Sequence, residues 1–238
     1  FRPKLPKDSD VTDKQRLLIA KMHKAITIIQ FKLESQIINS RKEFDMEGRN
    51  LLHLIDYKRG TITLDGVEYP LKDTHFPTIN PESPYTLTDE EQEVVNKLIY
   101  SFKANEKLRK HIRCLYSRGS LYLVRNGNLL YHGSMLMNED GTFKKVKILG
   151  EEYAGKALFD KIDSLVRIGY FEDQNPELKK FGEDFMWFLW CGPYSPQYDK
   201  DKMATFERYF IADKTTHKET KGAYSKLKLR KDICEMIL

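Results

Sequence analysis

Two dipeptides, Asp65-Gly66 and Asn126-Gly127, constrain this chain most. Each lies between alternating runs, TITLDGVEYPL and SLYLVRNGNLLYHG, and each marks a two-residue turn, because Asx-Gly accepts the positive φ that a tight hairpin needs at both central positions. An all-helical chain is thereby excluded. Elsewhere the helical period dominates. Thr12-Asp13-Lys14-Gln15 has capping-box spacing, and Leu17, Leu18, Met22, Ile26, Ile29, Leu33 and Ile37 recur behind it, which predicts one long amphipathic helix over about 12–40. Its polar positions carry Lys21, Lys24, Lys32 and Glu34, expected to form a solvated face. Leu51, Leu52 and Ile55 suggest a short second helix before the first hairpin.

Over residues 72–84, Pro77, Pro81 and Pro84 remove backbone donors and favour an extended surface loop. Thr88-Asp89-Glu90-Glu91 then caps a helix carrying Val94, Val95, Leu98, Ile99 and Phe102, and a further helix runs over about 106–116 and stops near Gly119. At Ser120 the pattern switches to the second hairpin, whose outgoing strand is apolar enough to lie inside a sheet. Residues 153–170 read as an amphipathic helix, 184–190 as a buried aromatic helix, and 203–211 as a strand or short helix.

With 238 residues, 40% hydrophobic and 32% charged, the chain can bury a core and lacks a disordered or disulfide-knotted composition. Its net charge of +5 is interleaved with acidic groups, as in KMHKAI, DEEQE and LRKHIR, too mild a bias to mark a nucleic-acid binder. Apolar stretches such as MWFLWC fall far short of the roughly 20 residues that span a membrane. Cys114, Cys191 and Cys234 are odd in number, widely spaced and without a CxxC pair, and are expected to be reduced core thiols of a cytoplasmic protein. The opening FRPKLPKDSD has no secretory apolar core and no initial Met, so the chain is expected to be an internal piece of a longer product.

His132-Gly133 is the leading candidate site. A histidine where a strand enters a loop has its ring held by the sheet, and the following glycine lets backbone pass close to a ligand, an arrangement suited to metal binding. On spacing alone, a single histidine without a partner is more often a hydrogen-bonded core residue. Asp73-Thr74-His75 has the D-x-H spacing of some dinuclear hydrolases, but it follows a polar hairpin and precedes Pro77, so it reads as a coincidence. The run KDKMATFERYFIADKTTHKE, residues 200–219, gathers Lys202, Arg208, Lys214, His217 and Lys218, side chains able to hold phosphate; an exposed charged face is the plainer reading. None of the common nucleotide, serine-hydrolase or zinc-protease motifs occurs.

Taken together, QFKLESQII, YPLKDTHFPTI, NLLYHGSMLMNEDG, DFMWFLWCGPYSP and KMATFERYFIADKTTHKE resemble the class III, Firmicutes-type fructose-1,6-bisphosphatases over nearly the whole chain. The resemblance implies a calcineurin-like metallophosphoesterase, an αββα sandwich with two metal ions, commonly manganese (Mn2+), that removes the 1-phosphate of fructose 1,6-bisphosphate in gluconeogenesis. Superfamily ligands come from D-x-H, G-D-x-x-D-R, G-N-H, a strand-end His-Gly and a late G-H motif; only the strand-end His-Gly is present, which implies His132 as one ligand and the others outside Phe1 and Leu238. The implied fold class is α+β: residues 1–118 a mainly helical insertion with a small hairpin, residues 119–238 part of the sandwich. The second substrate phosphate calls for basic side chains, and Lys202 and Arg208 are the candidates. On this reading the chain is inactive alone, binds neither nucleic acid nor membrane, and has open strand edges that invite a second copy. The competing reading is a non-catalytic module that binds a protein partner or an effector.

Overall fold

A computed structural model describes residues 11–238, so FRPKLPKDSD and the expectation attached to it lie outside the described residues. In chain order the helices are α1 (Asp13–Ser40), α2 (Asp89–Ala104), α3 (Glu106–Arg118), α4 (Gly155–Phe171), α5 (Pro176–Cys191), α6 (Thr205–Phe210), α7 (Tyr224–Leu227) and α8 (Lys231–Ile237). The strands are β1 (Ile55–Asp56), β2 (Thr61–Leu64), β3 (Val67–Pro70), β4 (Tyr122–Arg125), β5 (Asn128–Tyr131), β6 (Val146–Ile148) and β7 (Glu151–Tyr153). The architecture is α+β, helices with three small antiparallel sheets. Two compact units form: one holds the described residues through Tyr100 with Ala204–Lys218, the other Ser101–Met203 with Glu219–Leu238. No helix among the described residues is long and apolar enough to cross a membrane.

In the first unit, α1 begins at the expected box, with Thr12 Oγ1 accepting from Gln15 N and the Gln15 side chain accepting from Thr12 N. Strands β1-β2-β3 close through Asp65 and Gly66 at φ 49° and 78°, the conformation the dipeptide predicts. Ile28 and Phe31 of α1 pack with Leu52, Ile62 and, from α6, Phe206 and Phe210. Helix α6 is pinned beside the sheet by Lys72 N donating to Phe210 O at 2.8 Å. Leu51, Leu52 and Ile55 are buried as apolar residues should be, yet they form no second helix: Leu52–Leu54 is a single 3-10 turn, and Ile55 pairs with Ile62 in β1.

The solvated face expected on α1 is corrected at two of its positions. Lys32 is fully buried, with Nζ 2.6 Å from Glu91 Oε2 and 2.7 Å from Thr78 O. Glu34 is buried against Arg49, 2.8 Å away. A charge can leave water where an opposite charge and a carbonyl replace its hydration, and here those partners come from distant positions in the chain.

The second unit is built on α4 and α5. Helix α5 starts at Pro176, eight positions before the aromatic stretch marks it; Asn175 caps it by accepting from Leu178 N at 3.0 Å, and Pro176 occupies the first turn. The β6-β7 hairpin was not foreseen, because its turn is Leu149-Gly150, at φ 52° and 92°, rather than Asx-Gly. The expected β4-β5 hairpin forms with Asn126 and Gly127 at φ 51° and 72°. Its outgoing strand does not lie inside a sheet: among the described residues β5 pairs with β4 alone, and Leu123 and Leu130 on one face are more than half exposed. The opposite face is the packed one, with Tyr122 and Tyr131 against buried Phe159 of α4. Residues 205–210 form the short helix α6, not a strand. Of the three free cysteines only Cys191 is a core thiol; Cys114 and Cys234 are exposed.

Candidate functional site

Strand β5 ends at Tyr131, whose ring rests on Phe159 and whose hydroxyl meets that of Tyr224. Burial, then the Tyr224 contact, push the Tyr131 hydroxyl far above the usual phenol range, so it stays protonated. The next residue, His132, is exposed and makes no side-chain hydrogen bond with the described residues. Both ring nitrogens are open to a ligand, which removes the alternative of a hydrogen-bonded core histidine.

The chain then turns inward. Gly133 has φ 98°, and a Cβ on it would overlap the Pro196 carbonyl oxygen, so only glycine fits both the conformation and the contact. Ser134, 4% exposed, donates its N–H to Pro196 O at 2.7 Å and its hydroxyl to Asp199 Oδ2 at 2.6 Å. The loop received here is the Gly-Pro-Tyr-Ser-Pro stretch that follows α5. Buried Ser195 ties it to that helix, donating its hydroxyl to Leu189 O at 2.7 Å. Burial raises the Asp199 carboxyl above its ordinary pKa, with the Ser134 hydroxyl and the charge of Lys144 pulling the other way.

Among the described residues no group of three or more His, Cys, Asp or Glu side chains could hold a metal ion. The described residues around His132 therefore do not by themselves supply such a set. In the first unit, Asp73 of the D-x-H sequence accepts from Lys24 Nζ at 2.7 Å and from His75 N at 3.1 Å. Burial pushes the Asp73 carboxyl up, but these donors outweigh it and hold it below its ordinary pKa.

Of the anion candidates, Arg208, Lys214, His217 and Lys218 belong to the first unit and Lys202 to the second. The His217 Nε2 lies 2.9 Å from Glu207 O and 3.0 Å from Ile211 O, tying off the end of α6. Arg208, exposed in the first unit, donates to His217 O at 3.1 Å. Lys202 is exposed in the second unit. Sequence reasoning missed Ser134 and Asp199 as members of the His132 corner. They are 65 positions apart, and Asp199 reads as one more polar residue of a loop.

The mixed helices and small sheets are compatible with the α+β class that the resemblance implies. The chain belongs to the Firmicute fructose-1,6-bisphosphatase family, whose model matches residues 1–238. The fructose-1,6-bisphosphatase class 3 of Bacteroides fragilis is 59% identical over 231 residues, which are 97% of this chain and 35% of that protein. The protein of the same name from Bacteroides thetaiotaomicron is 55% identical over 239 residues, 100% of this chain and 36% of its own length. That from Clostridium botulinum is 52% identical over 238 residues, with the same coverage. The chain thus spans little more than a third of the length of the curated relatives it matches. No solved structure matches it.

Proposed function

We propose that the full-length protein is a cytoplasmic, metal-dependent fructose-1,6-bisphosphatase that hydrolyses the 1-phosphate of fructose 1,6-bisphosphate, giving fructose 6-phosphate in gluconeogenesis. The observation that carries this reading is the family match across all 238 residues. The reading includes a metallophosphoesterase sandwich to which residues 119–238 contribute, with residues 1–118 as a mainly helical insertion. Manganese, when bound, would supply charge neutralisation and water activation for in-line displacement at phosphorus. His132 would hold one ion through a neutral imidazole nitrogen, with the remaining ligands from other parts of the full-length protein. The exposed ring, with no competing hydrogen bond among the described residues, supports that role.

Calorimetric titration of the full-length protein with Mn2+ tests it. His132→Ala should weaken binding by more than the roughly 10–100-fold that loss of an outer-shell partner costs. Unchanged affinity removes His132 from the metal site. The distal phosphate needs a cation of its own, and Lys202 and Arg208 are proposed for it separately. A charge-assisted hydrogen bond contributes about 1.5–3 kcal/mol, so either alanine variant should raise KM about tenfold or more if its side chain holds phosphate. Steady-state kinetics with KM and kcat both unmoved would withdraw that residue.

The reading as an interaction module has one observation in its favour: Val94, Leu98, Ile99 and Phe102 of α2 are all exposed. It predicts no manganese binding that depends on His132.

A further inference from the structure

Among the described residues the imidazole of His132 has no partner of its own to aim it, whereas metal-ligating histidines usually donate their second ring N–H to a carboxylate or carbonyl. Whatever direction the ring has must come from the backbone on either side. On the upstream side, Tyr131 is seated on Phe159. On the downstream side, the main chain is caught at Ser134, and the catch is Asp199. The carboxylate receives the Ser134 hydroxyl at 2.6 Å, while Pro196 O, three residues earlier on the same loop, receives the Ser134 N–H at 2.7 Å. Asp199 is itself fixed from two sides. Its N–H donates to Ser195 O at 2.8 Å, its carbonyl accepts from Gly222 N at 2.9 Å, and a Cβ on Gly222 would overlap its carboxylate. It adopts φ 47°, a conformation uncommon outside glycine and Asx residues. This is a stiff support, and its one side-chain hydrogen bond to the corner reaches a residue two positions from His132.

We infer that Asp199 is a positioning residue: through the Ser134 hydroxyl it fixes the 133–134 corner and with it the direction in which the His132 imidazole leaves β5. The inference rests on the reading of His132 as a metal ligand. Its consequence is that a carboxylate which touches neither metal nor substrate should govern metal affinity. It does so by restricting the ring to the orientation that binding requires, so that less ordering is left for the binding step.

The test measures Mn2+ affinity of the full-length protein by calorimetry, a readout independent of turnover. Asp199→Ala is expected to weaken binding about tenfold, the lower end of what outer-shell losses cost. Asp199→Asn, which keeps an oxygen able to accept from Ser134, should return affinity to within about threefold of the parent, whereas Ser134→Ala should reproduce the Asp199→Ala loss. In a His132→Ala background, Asp199→Ala should have no further effect, since two residues acting through one contact are not additive. Should Asp199→Ala fail to fold, Ser134→Ala alone and combined with His132→Ala decides the question. If His132→Ala weakens binding while Asp199→Ala and Ser134→Ala do not, or if their effect persists undiminished without His132, the positioning role is overturned and the metal reading stands. If His132→Ala leaves binding unchanged, the metal reading itself fails.

Discussion

Replacing Lys32 by Met is expected to lower the unfolding free energy by about 3–5 kcal/mol, the cost of leaving a buried carboxylate without its cation. The lysine side chain is fully buried and that of Glu91 is 7% exposed, so water cannot take over when the ammonium is removed. Among the described residues Glu91 would keep a single donor, Thr88 N at 3.0 Å, and the Thr78 carbonyl would lose the Lys32 Nζ that lies 2.7 Å from it. The size of the loss comes from the stranded partner, not from the ion pair as such, and this makes a second outcome predictable. Adding Glu91→Gln removes the stranded charge and retains an oxygen for Thr88 N, so the double variant should lie within about 2 kcal/mol of the parent. Denaturant unfolding of both variants checks the pair: the midpoint falls for Lys32→Met at unchanged slope and recovers in the double variant. A Lys32→Met unfolding free energy within about 0.5 kcal/mol of the parent would mean the lysine is solvated, as surface substitutions usually cost no more.

That pair also marks where reading residues in order runs out. Thr12 and Gln15, Asp65 and Gly66, and Asn126 and Gly127 act on neighbours within four positions, so their capping box and turns are legible in the sequence and are found in place. Lys32 and Glu91 are 59 positions apart, and nothing near either one distinguishes a lysine bound for the interior from one facing water. The apolar alternation of β5 was likewise legible as a strand, but whether a strand lies inside a sheet depends on pairing that its own residues do not encode. For the proposed site, His132 and Gly133 are legible as a candidate because the residue type and the turn are local. Ser134 and Asp199 were not, because their roles exist only once the loop after α5 has folded onto the corner. The signal that could have drawn attention to that loop is Cys-Gly-Pro-Tyr-Ser-Pro itself, two prolines and a glycine closing an aromatic helix.

The packing of that helix carries the second large effect. Gly182→Ala is expected to destabilise the protein by about 1–3 kcal/mol, although in an isolated helix the same change would stabilise by about 1 kcal/mol. Gly182 of α5 and Gly169 of α4 meet backbone to backbone. A Cβ on Gly182 would lie 2.5 Å from Leu165 O and 2.6 Å from Gly169 N, and one on Gly169 would lie 2.7 Å from Gly182 C. These neighbours are main chain of a helix and cannot swing aside as a side chain would, so the two helices must separate. Gly48→Ala is the control: a Cβ there meets nothing within 4 Å, and the change should stay within about 0.5 kcal/mol. Thermal unfolding of the two variants side by side checks the difference, and equal, near-zero shifts would show that the helices have room. The separation should also reach the site. Helix α4 carries β5 through Phe159 and Tyr131, while α5 carries the loop that receives Gly133 and Ser134. Moving one helix from the other parts the two supports of the corner. If His132 holds a metal as proposed, Gly182→Ala in the full-length protein should therefore weaken Mn2+ binding at temperatures where the protein is still folded, and only while His132 is present.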